Sequence, residues 1–176
     1  VRETIQAEHR KLLAVWQQHT YSEFVLKDPN TAMAVMTEDA HVVLVASNTG
    51  GQGWLGVYEF YARRFLPFIP SDIELIPVTH AFARDRIVEE SVVRFTHSVG
   101  MEWMLPGLEP TSRKVEFPLI SVITFRGDKI ASEHLYWDQA TVLSQLGVVD
   151  NPLAAAGAGS ANKLLRLGLR AEAGVA

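Results

Sequence analysis

The chain has 176 residues, 48% of them hydrophobic and 20% charged, with a formal net charge of −4. That length suits one domain with a sizeable core, and so mild an acidic balance gives no electrostatic case for nucleic acid or a membrane surface as partner. The absence of cysteine excludes disulfides, thiol nucleophiles and thiolate metal sites, and no apolar run approaches the ~18 residues of a spanning helix.

Val1-Arg2-Glu3 is charged and leads straight into an amphipathic pattern, unlike a secretory leader, so a cytoplasmic setting is expected. Ile5, Leu12, Leu13 and Trp16 recur at helical spacing, with Phe24 extending the stripe, which predicts a first helix over about 3–26. Asp28-Pro29 marks a helix start, the acid as N-cap and the ring at the first helical position. The short helix that follows carries Ala32, Val35 and Met36 on its buried side, and the β-branched run from His41 to Val45 predicts a strand. Asn48 to Gly53 reads as a flexible connection, because it lacks the Gly-Lys-Ser/Thr ending of a phosphate loop. Trp54, Tyr58, Tyr61 and Phe65 then fall three and four apart, predicting a third helix with an aromatic face, ended by Pro67 and Pro70.

Beyond that point the period changes to two. Strands are expected over 73–83 and 86–99, joined at Arg84-Asp85, and over 114–126 and 129–138, joined tightly through Gly127-Asp128. Between the pairs runs a Pro/Gly-containing connection whose Trp103, Met104 and Leu105 are expected to form an apolar lid. Gln139 to Leu146 reads as a helical turn stopped by Gly147. Helices followed by consecutive strands indicate an α+β fold with an antiparallel sheet. Residues 1–150 are read as one domain, and the Ala/Gly-rich stretch 151–176 as an appendage with a short helix near 160–167, partly disordered or packed on a partner subunit.

The last predicted strand carries the densest chemistry: Glu133, His134, Tyr136, Trp137 and Asp138 fall within six positions. If Arg126 and Lys129 flank a regular two-residue turn, His134 lies across from Ser121, and His134, Tyr136 and Asp138 share the pocket face. A one-residue bulge would instead turn Glu133, Leu135 and Trp137 inward. The regular register is the expectation. Asp138 is suited to two tasks, capping the helical turn after it and acting as a base whose pKa an apolar pocket would raise. Of Glu89-Glu90 one should point inward, as a second acid or as an ion-pair partner of Arg94, and Glu90 is grouped with the pocket. His97, just before the long connection, is placed near the pocket mouth. The six histidines form no His-x-x-x-His pair and no carboxylates have ligand spacing, so no metal is expected, and no Gly-x-Ser-x-Gly elbow supports a serine nucleophile.

Thr37-Glu38-Asp39-Ala40 before the first strand, Glu59-Phe60-Tyr61 in the third helix, and the ending from Gly127 to Asp138 stand in an order that resembles the nuclear transport factor 2-like superfamily. The ending is similar to that of its SnoaL-like polyketide cyclase branch. The resemblance spans roughly residues 5–148 and implies a cone: a curved, mixed, mainly antiparallel sheet wrapped over about three N-terminal helices around an apolar pocket, often in a homodimer. Ketosteroid isomerases of this superfamily use a carboxylate base and a protonated Asp in the oxyanion hole. Their positions correspond here to Leu44 and Ser121, which argues against steroid-type isomerisation. The general base of the cyclases corresponds to Asp138.

These readings converge on an enzyme that works without a cofactor on a small, largely apolar oxygenated metabolite. Asp138 would abstract a proton α to a carbonyl or activate water, and His134 or Tyr136 would stabilise or protonate the oxygen. Trp54, Tyr58, Phe65, Trp103 and Trp137, with Glu90, His97 and Ser121, would shape the pocket. Cyclisation or isomerisation fits the resemblance, and epoxide or lactone hydrolysis uses similar parts. The alternatives are a non-catalytic binding protein for a small hydrophobic ligand and a dimerisation or accessory domain whose pocket its own side chains fill.

Overall fold

The computed structural model describes residues 2–149 and 158–173. Helix α1 (Arg2–Tyr21) runs on into a π-helical turn over Ser22–Leu26 and stops at Lys27, whose φ of 51° is left-handed. Helix α2 (Pro29–Ala34) begins where the sequence places it: the Asp28 carboxylate accepts the Asn30 N–H and Pro29 fills the first turn. Strand β1 (Met36–Leu44) follows directly, earlier than its β-branched run suggests.

Asn48–Gly53 is not a free connection. Thr49–Gln52 forms strand β2, antiparallel to β1, with Val42 opposite Gly51. Glycine is needed there because α3 (Gly53–Phe60) folds back over the strand: a Cβ on Gly51 would lie 2.3 Å from the Gly56 carbonyl oxygen. The glycines that suggest flexibility serve close packing. Helix α3 ends in a π turn over Tyr61–Phe65 and a 3-10 turn at Leu66–Phe68.

The remaining strands are β3 (Glu74–Ala83), β4 (Arg86–Thr96), β5 (Lys114–Arg126) and β6 (Lys129–Trp137). The short helix α4 (Gln139–Gln145) and, further on, α5 (Ala158–Ala173) complete the described chain. The sheet order is β2-β1-β6-β5-β4-β3, and only β1–β6 is parallel. This is an α+β fold with a six-stranded mixed sheet. Its inner face packs on α1, α2 and α3 through Trp16, Met33, Val57, Phe60 and Tyr61, all nearly inaccessible. Each large side chain so buried contributes about 2–3 kcal/mol.

Part of the expected appendage packs on the sheet. Ala161 of α5 packs against Val78 and Val92 on the outer face of the sheet, and Asn162 donates to Glu116. Residues 150–157, where the Ala/Gly-rich stretch begins, lie outside the described residues.

One irregularity decides which side chains reach the interior. Arg126 pairs with Lys129 and Phe125 with Ile130, as a two-residue turn requires, but Thr124 pairs with Ser132. Ala131 is therefore an extra residue, a bulge, and every later residue of β6 changes face. Ser121 lies opposite Leu135, and His134 opposite Val122. The expected inward row of His134, Tyr136 and Asp138 is corrected to Glu133, Leu135 and Trp137.

Candidate functional site

Between the inner face of the sheet and the helices lies a narrow apolar cavity of about 50 Å³. Glu133, Leu135 and Trp137 of β6 line it, with Ser121, Leu119 and Phe117 of β5 beside them. Leu44 and Ser121 both line this space. Phe65 and Trp103 close it from the helical side, their rings edge-to-face at 4.8 Å. The Trp103 loop is fixed: its indole N–H donates to the Phe68 carbonyl at 3.2 Å, and its own carbonyl accepts from Ser47 and Thr49 at 2.8 and 2.6 Å. The expected lid is a buried wall.

Of the predicted site residues, the cavity collects Trp137, Phe65, Trp103 and Ser121. The others stand elsewhere. His134 points to the opposite sheet face and bonds His41 through Nε2 atoms 2.9 Å apart. Burial and the neighbouring His41 and Arg86 lower its pKa. Tyr136 is exposed on the same face. Asp138 caps α4, accepting the Thr141 N–H at 3.2 Å and its hydroxyl at 2.6 Å. Those Thr141 bonds hold its carboxyl below the usual range, the reverse of what an apolar pocket would do. Trp54 is exposed, and Tyr58 packs against the core without lining the cavity. Glu90 faces outward and accepts from Thr79 at 3.1 Å; its neighbour Glu89 is the inward acid, bonded to the Trp16 indole and to His80 at 3.0 and 2.7 Å. Arg94 pairs with Glu116 and Glu74 instead. His97 is buried and accepts the Thr111 N–H at Nδ1, bracing the loop after β4 rather than opening at a mouth.

The polar end of the cavity joins Glu133 and Tyr61, which the sequence motifs mark, to His19 and Glu23, which they do not. His19, Glu23, Tyr61 and Glu133 are all nearly inaccessible and meet at one point. His19 Nε2 lies 3.3 Å from Glu23 Oε1, 3.5 Å from Glu133 Oε2 and 3.1 Å from the Tyr61 hydroxyl, which itself donates to Glu133 Oε2 at 3.2 Å. His19 Nδ1 sits 3.1 Å from the Ala32 carbonyl, an acceptor only, so Nδ1 carries a proton. Nε2 faces two carboxylates and holds one as well. The ring is therefore an imidazolium.

The titration shifts follow from this geometry. Burial alone would lower the His19 pKa, but the charges and hydrogen bonds of Glu23 and Glu133 outweigh it and raise it to about 10. Glu133 is pushed up, first by burial and then by the negative charge of Glu23, against the pull of His19. Tyr61 is held well above its usual value by burial and by the same two acids, so it remains a phenol that donates. One imidazolium thus serves two acids, and the second acid tends to hold its proton.

Two of these residues carried a readable signal. Leu12, Trp16, His19 and Glu23 continue a single helical stripe at spacings of four, three and four. The donor atoms of His19, Glu23 and Glu133 lie within 4.8 Å of one another, close enough to converge on a cation. They are already joined to each other by hydrogen bonds with the imidazolium as counter-charge, and the cluster reads as a proton-holding network. Trp16 links it to a third buried acid: its ring stacks on His19 with centroids 5.7 Å apart while its N–H is held by Glu89.

No family model matches the chain, and no curated protein matches it in sequence. Solved structures do match. A SnoaL-like polyketide cyclase, so described, from Jannaschia sp. CCS1 is 14% identical, with a TM-score of 0.63 over 80% of this chain and 94% of its own. IdmH, described as a polyketide cyclase from Streptomyces antibioticus, is 24% identical, with a TM-score of 0.57 over 78% and 99%. SalBIII, described as an epoxide hydrolase/cyclase-like enzyme of pyran ring formation in salinomycin, is 14% identical, with a TM-score of 0.57 over 75% and 94%. At these identities the likeness is one of fold, and the chain has the nuclear transport factor 2-like, ketosteroid isomerase-like fold that its sequence resembles.

Proposed function

We propose that this protein is a small-molecule enzyme of SnoaL-like type that acts on a compact, apolar, oxygenated substrate by carboxylate acid/base chemistry, with Glu133 as the proton-transferring group. The observation that carries this reading is the pair of buried acids sharing one imidazolium at the polar end of an apolar cavity. A carboxyl whose pKa burial raises is suited to give and take protons near neutral pH.

In this reading the ionised Glu133 removes a proton from the carbon α to a substrate carbonyl. The electron pair moves onto the carbonyl oxygen, to which the Ser121 hydroxyl on the same wall would donate. Protonated Glu133 then returns the proton to a different carbon, giving isomerisation, or the enolate carbon attacks a second carbonyl in the same molecule and the alkoxide so formed takes the proton from Glu133, giving cyclisation. His19 stays charged and positions both acids. Activation of a water molecule against an epoxide or lactone would use the same base. The fold likeness to polyketide cyclases and to an epoxide hydrolase/cyclase-like enzyme supports this class of chemistry.

Deuterium incorporation from D2O into a panel of small cyclic ketones and diketones, followed by NMR, tests the assignment. Glu133→Gln is expected to slow exchange by about 10²-fold or more, and Asp138→Asn to leave it within a factor of about two. Exchange that survives Glu133→Gln but fails in Asp138→Asn would return the role to the end of β6.

A homodimer is part of the proposal. Helix α5 covers the outer face at β3–β5, whereas Tyr136 on β6 and Val45 just after β1 are each 43% exposed on large apolar side chains. Sedimentation velocity should report twice the chain mass, and Tyr136→Asp should shift it toward one chain.

A further inference from the structure

The polar end of the cavity holds more carboxylate than cation. Glu23 and Glu133 both reach the wall, and among the described residues His19 is the one basic group paired with them. Among the described residues no lysine or arginine lines the cavity. Behind Trp16 the next charged groups are also arranged around an acid, Glu89 with His80. With both acids ionised, one negative charge stands uncompensated in a medium of low dielectric, which is costly. A proton on Glu133 relieves it when the cavity is empty. A bound cation would relieve it equally well.

The rest of the wall favours such a cation. Trp16, Phe24, Phe65, Trp103, Phe117 and Trp137 surround the space with aromatic rings. The negative face of an aromatic ring attracts an ammonium, most strongly where water is excluded. An ammonium buried in an aliphatic pocket would gain nothing comparable, and an anion would be repelled by both acids.

We propose that the cavity recognises a compact apolar molecule bearing one basic nitrogen, a quaternary or protonated tertiary ammonium seated between the aromatic wall and the Glu23–Glu133 pair. The inference rests on reading this cavity as the substrate site. It does not require that Glu133 transfer a proton. It narrows the substrate class from apolar oxygenated molecules to those that also carry an amine.

Calorimetric titration of the full chain with choline and with 3,3-dimethyl-1-butanol, its neutral isostere, separates charge from shape. At neutral pH choline is expected to bind about tenfold tighter or better. Glu133→Gln should reduce that preference to about twofold, while Glu90→Gln, on the outer face, should leave it. Equal affinities in the wild type, or a preference that persists in Glu133→Gln, would overturn the proposal. If Glu133→Gln does not fold, the wild type decides by itself. Acidification should shrink the choline preference as Glu133, whose pKa burial raises, takes up a proton, and leave alcohol binding unchanged, and a preference constant with pH would overturn the proposal. Deuterium exchange that depends on Glu133 without any choline preference removes this inference and leaves the acid/base reading standing.

Discussion

Replacing His19 with Gln removes the cation that compensates two buried acids while keeping a hydrogen-bonding side chain in its place. Stripping one partner from a buried ion pair costs about 3–5 kcal/mol, because the remaining charge has nowhere to go. The titration of His19 gives a similar figure: a rise from 6.5 to about 10 in the folded state corresponds to about 5 kcal/mol at about 1.4 kcal/mol per unit. The pH dependence has a definite sign. Because the folded pKa lies above the unfolded one, the stabilisation is complete below 6.5 and is lost as pH rises through about 10. On the acid side the Gln variant recovers for a different reason, since Glu133, already raised, takes up a proton and no longer needs the imidazolium. The deficit of His19→Gln should therefore be greatest around neutral pH and shrink in both directions. Urea unfolding followed by circular dichroism reads this directly: at an m-value of about 2 kcal/mol/M, a loss of about 4 kcal/mol moves the midpoint by about 2 M. Adding Glu133→Gln should recover part of the loss. A deficit below about 1 kcal/mol at neutral pH, or one independent of pH, would refute the ion-pair assignment.

Two further substitutions test the parts around this cluster. Asp138→Ala should cost about 1 kcal/mol through the lost cap of α4 and leave ligand binding in the cavity intact, since its carboxylate is engaged by Thr141. Loss of cavity binding in a folded Asp138→Ala protein would contradict the placement of that residue. Deleting Ala131 removes the bulge and drives His134 and Tyr136 toward the interior in place of Glu133 and Leu135; the protein should then fail to fold cooperatively, whereas Ala131→Val should be tolerated. A deletion variant with native-like near-ultraviolet dichroism would show that the bulge does not set the register.

Much of the fold is readable from local chemistry. Asp28-Pro29, Arg84-Asp85 and Gly127-Asp128 each act within a few residues, as a cap or a turn, and local rules suffice for them. Asp138 is legible as a cap for the same reason. The inward face of β6 is not, because a bulge at Ala131 depends on how β5 and β1 grip the strand from both sides, and alanine fits either arrangement. The glycines of β2 suggest a loop until α3 is known to lie against them. The convergence of the acid cluster is hidden for a related reason. His19 and Glu23 stand among polar residues near the end of α1, and Tyr61 begins a π turn that shifts the face of its helix. Their common destination is set by packing between elements far apart in the chain. The stripe from Leu12 to Glu23 was nevertheless available as a helical period that carries polar residues into the core.

The titration of two carboxyls separates the two placements of the acid/base group most directly. Carbon-13 NMR of protein labelled at the Glu and Asp carboxyl carbons, assigned with Glu133→Gln and Asp138→Asn, gives both pKa values in one experiment. Glu133 is expected above the ordinary carboxylate range, through burial and its neighbour Glu23, and Asp138 below it, through its bonds to Thr141. A depressed Glu133 beside a raised Asp138 would contradict the assignment of the proton-transferring group to the cavity.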